Sequence, residues 1–284
     1  MDIEFKEKTF EKSFGHELAR LTNATFSPDQ CDESWLGFDE AFFLPMEWFF
    51  RFGPYVRRHR QRRLTGVEID EFNMTGKTIA SHLPDFKLNL FVQFKRPTFL
   101  RSRGAKEWSD WNQSYYRYQT MPHQQEALER IDAQSFGRAA TIYASPAFWQ
   151  ASDLWSYVRG STVVDHSNIA SVGKLKGHGH YSYIEAGCFG KGHSETVDIE
   201  SQPLKEIISL GLDRNNPLPL NQHLKKTAAA IVEATSGSDL VTPIFRQVQT
   251  ARELETLDPG SLYDAIQIIE IFSDAFGVRY FSLA

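Results

Sequence analysis

The most regular hydrophobic pattern in the chain is the run LNLFVQFK at residues 88–95, which is bounded by Pro84 and Pro97. Apolar and aromatic residues between two proline breakers predict a strand that is buried on both faces. Shorter runs of similar character predict further strands at residues 35–44, 66–72, 138–144 and 181–185. The strand at 88–95 is therefore expected to lie inside a sheet.

Helical spacing of apolar residues is clear at both ends of the chain. Phe10, Phe14, Leu18 and Leu21 predict a helix at residues 9–21, and Pro122 suits the first turn of a helix at 122–133. Beyond Pro203 the pattern predicts helices at 204–212, 220–234 and 261–276.

This order of elements predicts an α/β fold with a mixed central sheet flanked by helices and a helical C-terminal portion. We place an α/β domain at residues 1–200. The helical portion, 201–284, is either a second lobe or a layer packed on the same domain.

Composition supports a folded domain and limits its location. The 284 residues are 41% hydrophobic and include 22 Phe, which is enough for a sizeable core. No apolar run approaches the roughly 20 residues that span a bilayer, and the charged N-terminus does not resemble a signal peptide. Two scattered cysteines fit a reducing compartment, so we expect a cytoplasmic protein without a membrane partner.

Gln93 and Lys95 form an unusual polar pair on the apolar strand. Residues two apart on a strand point to the same face, and a buried charge is costly unless it is paired. An amide oxygen and an ammonium on one face suit a metal ion and a phosphate. Alternatively, Lys95 is simply the last residue of the strand and reaches solvent beside Arg96.

The order helix, strand with an acid, strand with x-Gln-x-Lys, helix and strand resembles the PD-(D/E)xK nuclease superfamily. The resemblance covers about residues 10–144, and VQFKR is its motif. The Gln variant is similar to the nuclease domains of bacterial anti-phage effectors. The resemblance implies a restriction-endonuclease-like fold, with Gln93 where the common motif has an acid.

The resemblance also implies further site residues. Asp39, in the middle of an aromatic segment, is the expected second metal ligand beside Gln93, and its neighbour Glu40 points to the opposite face. Asp85 is the rival acid because Pro84 and Asp85 read as the motif's "PD". The superfamily often adds an acid from the first helix, for which Glu17 is the candidate.

A dense run of arginines lies between the two segments expected to carry the metal ligands. Such a run either contacts phosphates or is a solvated connecting loop. Its members are Arg57, Arg58, Arg60, Arg62 and Arg63.

A second group of metal-binding residue types lies further along the chain. Histidines and a cysteine within 16 residues could bind Zn²⁺, although their spacing matches no common zinc module, and a glycine- and histidine-rich surface loop is the alternative. The residues are His178, His180, Cys188 and His193.

Together these observations predict a deoxyribonuclease that uses Mg²⁺ or Mn²⁺, with DNA as its partner and an anti-phage role implied by the resemblance. Asp39, Gln93, Lys95 and Glu17 are the expected catalytic residues. A nuclease that cuts RNA is one alternative. A catalytically inactive binding or sensing subunit that acts through a partner protein is the other.

Overall fold

The structure is a computed structural model of the chain. It describes residues 2–22, 24–27, 42–43, 81–236 and 261–284, together with single residues at 74, 77 and 243. The predicted strand at 66–72 and most of the one at 35–44 lie outside the described residues.

Five of the helices in the described residues fall close to the predicted bounds, and two more, Trp108–Trp111 and Ala151–Gly160, match none of them. Their bounds are α1 Glu7–Leu18, α2 Trp108–Trp111, α3 Pro122–Gln134, α4 Ala151–Gly160, α5 Leu204–Arg214, α6 Leu220–Thr235 and α7 Leu262–Phe276. Ser261 caps α7 by accepting a hydrogen bond from the Asp264 backbone N–H, and Gly277 ends it in the left-handed conformation.

The strands are more numerous than the sequence predicted. Their bounds are β1 Thr25–Phe26, β2 Phe42–Phe43, β3 Leu88–Phe94, β4 Thr98–Leu100, β5 Tyr115–Gln119, β6 Ala139–Pro146, β7 Ser167–Ser171, β8 His180–Tyr183, β9 Phe189–His193, β10 Thr196–Glu200 and β11 Arg279–Leu283.

These strands form two sheets. The first has the order β2-β1-β11-β3-β6-β7 and the second the order β10-β9-β8-β5-β4. In the first sheet β3 and β6 run parallel, because Asn89 N bonds to Arg138 O and, six residues on, Lys95 N bonds to Ala144 O. The β1–β11 and β6–β7 pairs are antiparallel. The predicted α/β fold with a mixed sheet, flanking helices and C-terminal helices is therefore confirmed.

Strand β3 occupies the interior of the first sheet, between β11 and β6. All seven of its residues are buried, as the proline-bounded apolar run predicted. The predicted buried strand in the run at residues 88–95 is thus confirmed.

Tertiary contacts divide the chain into two compact units. The first comprises Met1–Leu21, Val92–Glu129 and Thr141–Ser209, and the second comprises Thr22–Phe91, Arg130–Ala140 and Leu210–Ala284. The chain enters the second unit three times, at Thr22, at Arg130 and at Leu210. The second unit also takes in earlier segments, so it is not made from the C-terminal residues alone.

The first unit has an aromatic core. Phe10 and Phe14 of α1 meet Phe94 edge-on, with ring centroids 5.8 and 5.3 Å apart. On the second sheet, Tyr116 stacks on Tyr183 at 5.3 Å. Edge-on and offset contacts of this kind stabilise beyond the area they bury, and they hold α1 firmly in place.

In the second unit, a buried polar network ties β3 to its neighbours. Asn89 Oδ1 accepts hydrogen bonds from Thr227 Oγ1 on α6 (3.0 Å) and from Tyr280 OH on β11 (2.7 Å). Phe91 packs beside Tyr280, with ring centroids 5.1 Å apart. Because buried polar groups are costly unless they are bonded, this network fixes one arrangement of strand and helix.

Within the described residues, none of the helices is both long and apolar enough to cross a membrane.

Candidate functional site

Lys95 follows the last residue of β3 and is held in place by β6. Its backbone N–H donates to Ala144 O at 3.0 Å, and its carbonyl accepts from Ser145 Oγ at 3.2 Å. Its ammonium donates to Gln124 Oε1 at 3.3 Å and lies 5.4 Å from the centre of the Tyr143 ring. The side chain is half-buried and fixed by neighbours, unlike a lysine that simply reaches solvent.

The surroundings of Lys95 disfavour its charged form. Burial lowers its pKa to about 8, and the carboxylate of Glu7 partly offsets that effect. Glu7 begins α1 and stays partly open to solvent, yet desolvation still raises the pKa of its carboxyl. The Lys95 charge and the Arg96 backbone N–H both act on that carboxyl in the opposite direction.

A hydrogen-bond chain holds the ring beside Lys95. Tyr143 OH donates to Gln125 Oε1 at 2.7 Å, and Gln125 Nε2 donates to Val172 O at 2.7 Å and to Glu129 Oε1 at 2.8 Å. Both glutamines at the start of α3 therefore help to position the groups around the Lys95 ammonium. Gln124 contacts Lys95 directly, and Gln125 orients Tyr143.

Gln93 lies two residues before Lys95 and is only 4% exposed. The alternation of an extended strand directs both side chains to the same side of the sheet. A buried position explains why a neutral carboxamide is tolerated here more cheaply than a carboxylate would be.

Asp39, Glu40 and the arginine run lie outside the described residues, so their predicted roles stay predictions. The members of that run are Arg57, Arg58, Arg60, Arg62 and Arg63.

Glu17 lies at the far end of α1 from the lysine. Its carboxylate accepts the backbone N–H of Val164 at 3.2 Å and that of Val163, and burial raises its pKa. Ten residues of helix separate it from Glu7, which is about 15 Å along the axis. Glu17 therefore anchors the segment after α4, and Glu7 is the α1 acid beside Lys95.

Asp85 is exposed and precedes the first residue of β3, whereas Gln93 is the sixth residue of that strand. A strand rises about 3.3 Å per residue, so the strand itself keeps the two side chains too far apart to share one cation. The acid of the Pro84–Asp85 pair therefore does not lie next to Gln93.

The histidine-rich segment is only partly a loop: His180 begins β8 and His193 ends β9, whereas His178 and Cys188 lie just before those strands. His193 Nε2 lies 2.7 Å from Ser182 Oγ. His178 Nδ1 lies 3.2 Å from Ser194 Oγ. In the part of the chain that the structure describes, no three His, Cys, Asp or Glu side chains converge as a metal site would require.

Ser182, His193 and Asp110 stand in the order of a hydrolytic triad. The His193 Nδ1 to Asp110 Oδ2 distance is 3.9 Å, longer than a hydrogen bond, and Ser182 Oγ also accepts from Trp111 Nε1 at 2.8 Å. Ser182 has no exposed surface, so its hydroxyl cannot meet a substrate. We assign this group to the packing of the second sheet.

Sequence reasoning missed Glu7 and Tyr143. An acid in the first turn of a helix is common because it favours the helix dipole, so Glu7 carried no distinctive signal. Tyr143 lay within a predicted strand and read as core. Only the pairing of β3 with β6 brings its ring to Lys95.

Comparison of the chain with protein-family models, with curated proteins and with solved structures found no match. The fold is that of an α/β protein. Its candidate site is a half-buried lysine with a carboxylate and a carboxamide beside it, at the end of an interior strand.

Proposed function

We propose that the protein is a metal-dependent DNA endonuclease of the PD-(D/E)xK type, centred on Lys95. The observation that supports it is the setting of this lysine. A half-buried cation ends an interior strand, two residues after a buried carboxamide, and a carboxylate from α1 acts on it. Charged groups held in partly desolvated places are typical of sites that act on charged substrates.

The donor atoms fit a hard divalent cation. Glu7 offers a carboxylate and Gln93 a carboxamide oxygen, and Mg²⁺ and Mn²⁺ prefer oxygen ligands. Proteins commonly bind Mg²⁺ through one or two carboxylates, with water completing the shell. Asp39 is our proposed second carboxylate, and Glu7 takes the place we first gave to Glu17.

Each residue then has a defined task. Gln93, Glu7 and Asp39 would hold the cation, which supplies a more acidic water and a polarised phosphate. Lys95 stabilises the negative charge that develops on the phosphate as water adds to phosphorus and the bond to the leaving oxygen breaks. Gln124 and the Tyr143 ring keep the ammonium in position for that contact.

The wider role rests on the resemblance alone. We propose that the nuclease acts in anti-phage defence and that a partner protein restrains it, since an unrestrained nuclease would damage the host genome. The arginine run at residues 57–63 would hold the DNA backbone by charge.

Cleavage of supercoiled plasmid, titrated with MgCl₂ and with MnCl₂, tests the assignment. The wild type should cut only with metal. We expect Gln93→Ala and Glu7→Gln to need at least tenfold more metal for the same rate, since each loses one oxygen ligand or its charge. Gln93→Glu should need less metal than the wild type. Equal metal dependence in all four proteins would overturn the assignment.

The same titration with single-stranded RNA tests the alternative substrate. A second candidate function is a nuclease-fold binding subunit without activity, and the neutral Gln93 at the acid position favours it. Binding of DNA without cleavage at any metal concentration would support that candidate and exclude the enzyme.

A further inference from the structure

A groove in the first unit lies between helices α1 and α4. Its volume is about 490 Å³, which is within the range of small-ligand sites. It is lined by Lys8, Thr9, Lys12, Ser13, His16, Glu17, Arg20, Trp155, Val158, Ser161 and Val163.

One wall of this groove is a cationic stripe. Lys8, Lys12 and His16 recur at every fourth position of α1, with a rise of about 6 Å between neighbours, and Arg20 continues the spacing in the turn after the helix. Lys8, Lys12 and Arg20 carry the positive charge of this stripe. All four are exposed. Within the part of the chain that the structure describes, neither Lys8 nor Lys12 is in a salt bridge.

The opposite wall is apolar and open. Trp155 is 53% exposed and Val158 is 36% exposed. Large aromatic side chains are usually covered, and an exposed one beside a groove commonly marks a contact surface. Trp155 thus offers a flat ring across from the cations.

Both walls are held rigidly by packing on their far sides. Phe10 and Phe14 fasten α1 through Phe94, as described above. Leu154 is fully buried, and Tyr157 of α4 meets Phe148 edge-on at 5.0 Å. Arg20 bridges the groove by a hydrogen bond from Nη1 to Ser161 Oγ.

Among the described residues that line the groove, Glu17 is the one acid. Glu17 directs its carboxylate to the backbone N–H groups of Val163 and Val164. The acids elsewhere on α1 are Glu7, beside Lys95, and Glu11.

We propose that this groove binds a single-stranded DNA segment, with phosphates along the α1 stripe and a base stacked on Trp155. A single strand repeats a phosphate and an unpaired flat ring, and the groove presents cations on one wall and an aromatic ring on the other. An acidic peptide would use only the cations, and a lipid surface would need a protruding apolar face.

The inference rests on the proposed function in taking DNA as the ligand, but it concerns binding and not cleavage. The groove and the candidate site both include a residue of α1, Lys8 in the groove and Glu7 beside Lys95. Binding measured in EDTA separates the two proposals, because cleavage needs metal.

Fluorescence anisotropy with a labelled twelve-nucleotide oligo-dT strand in EDTA tests the groove. Trp155→Ala should weaken binding about tenfold through lost stacking, with an unchanged salt slope. Lys12→Glu should weaken it at least as much and reduce the salt slope by about 0.7 or more, because at least one phosphate contact is lost. Matched controls are Lys226→Glu, an exposed lysine on α6, and Phe136→Ala, which is 90% exposed.

The inference is overturned if the wild type does not bind the strand. Equal affinity of the groove variants and the wild type for the strand would overturn it too. So would tighter binding of duplex DNA or of RNA than of the DNA strand. A poly-glutamate peptide that competes with the labelled strand as well as unlabelled oligo-dT does would also overturn it. Lys95→Ala should bind normally in EDTA. If the groove variants bind the strand normally and the wild type cleaves DNA, only the groove proposal is rejected. If binding depends on the groove residues but the wild type does not cleave DNA, only the nuclease proposal is rejected.

Discussion

At the scale of single residues, Lys95 is the central residue of the proposed site. Burial of its ammonium disfavours the charge and lowers its pKa to about 8, and the carboxylate of Glu7 partly offsets that effect. A lysine in the unfolded chain titrates near 10.4. Between those two values the unfolded chain keeps a proton that the folded chain has lost, so raising the pH stabilises the fold.

Comparison with Lys95→Met tests this charge directly. At pH 7 the buried ammonium lowers the free energy of unfolding by on the order of 3 kcal/mol. The variant should therefore be more stable than the wild type by that amount, reduced by the contribution of the hydrogen bond to Gln124 that it loses. At pH 10 that advantage should shrink by about 2 kcal/mol. Urea unfolding of both proteins at the two pH values measures it, and a pH-independent difference would contradict it.

Glu17 gives a second residue-scale prediction. Its carboxylate anchors two backbone N–H groups, and a buried donor that loses its acceptor costs about 1–3 kcal/mol. Glu17→Ala should therefore lower the free energy of unfolding by that amount. Glu17→Gln keeps an acceptor oxygen and should cost less at pH 7, because the raised pKa means that burial already disfavours the charge. Thermal unfolding compares them.

An equal loss of stability in both Glu17 variants would contradict the anchoring role. Cleavage activity adds an independent readout: a metal ligand would lose activity in the Gln variant without losing stability.

Sequence alone located the polar pair of this site but not its surroundings. Gln93 and Lys95 stood out because a buried strand rarely carries them. Glu7 and Gln124 come from elements that lie far away in the sequence, and ordinary helix preferences explain both residues equally well. Contacts between such elements leave no local pattern.

At the scale of elements, α1, β3, β6 and the C-terminal helices followed from their hydrophobic periodicity. Of the second sheet, β8 alone was predicted, at residues 181–185. The tyrosines of β5 bury their rings yet read as partly polar, and the glycines of β9 suggested a loop.

Gly190 in β9 shows why glycine belongs in that strand. A Cβ at this position would lie 2.3 Å from the Tyr181 ring and 2.5 Å from Ser182 O, so only glycine permits the ring to pack there.

Gly190→Ala should therefore destabilise the protein by about 1–3 kcal/mol, the usual cost of overpacking. Gly173→Ala is the matched control, since nothing lies within 4 Å of its added Cβ. Thermal unfolding should show a lower midpoint for the first variant only. Equal midpoints would mean that β9 has room for a side chain.

Strand β11 was missed for a different reason. Its five residues follow directly on α7, and its neighbours β1 and β3 lie far away in the sequence. A short apolar end to a chain predicts little, because the partner strands decide whether it pairs.

At the scale of the whole molecule, the net charge of −5 conceals a local cationic stripe along α1 and the turn that follows it. Overall charge gives little information about binding when the charges are segregated on one helix face. The fold class was predictable because element order limits the arrangement of layers. The division into two units was not, since it depends on which distant segments pair.

The central proposal is that Lys95, directly after β3, stabilises the negative charge that develops on a phosphate during cleavage. Its most direct test is the plasmid cleavage rate, with Mg²⁺ present, of Lys95→Ala against Lys87→Ala. Both lysines are half-buried and flank the same strand, one at each end. We predict a loss of at least a hundredfold for Lys95→Ala and less than twofold for Lys87→Ala. Equal rates in both variants, or no metal-dependent cleavage by the wild type, would contradict the account.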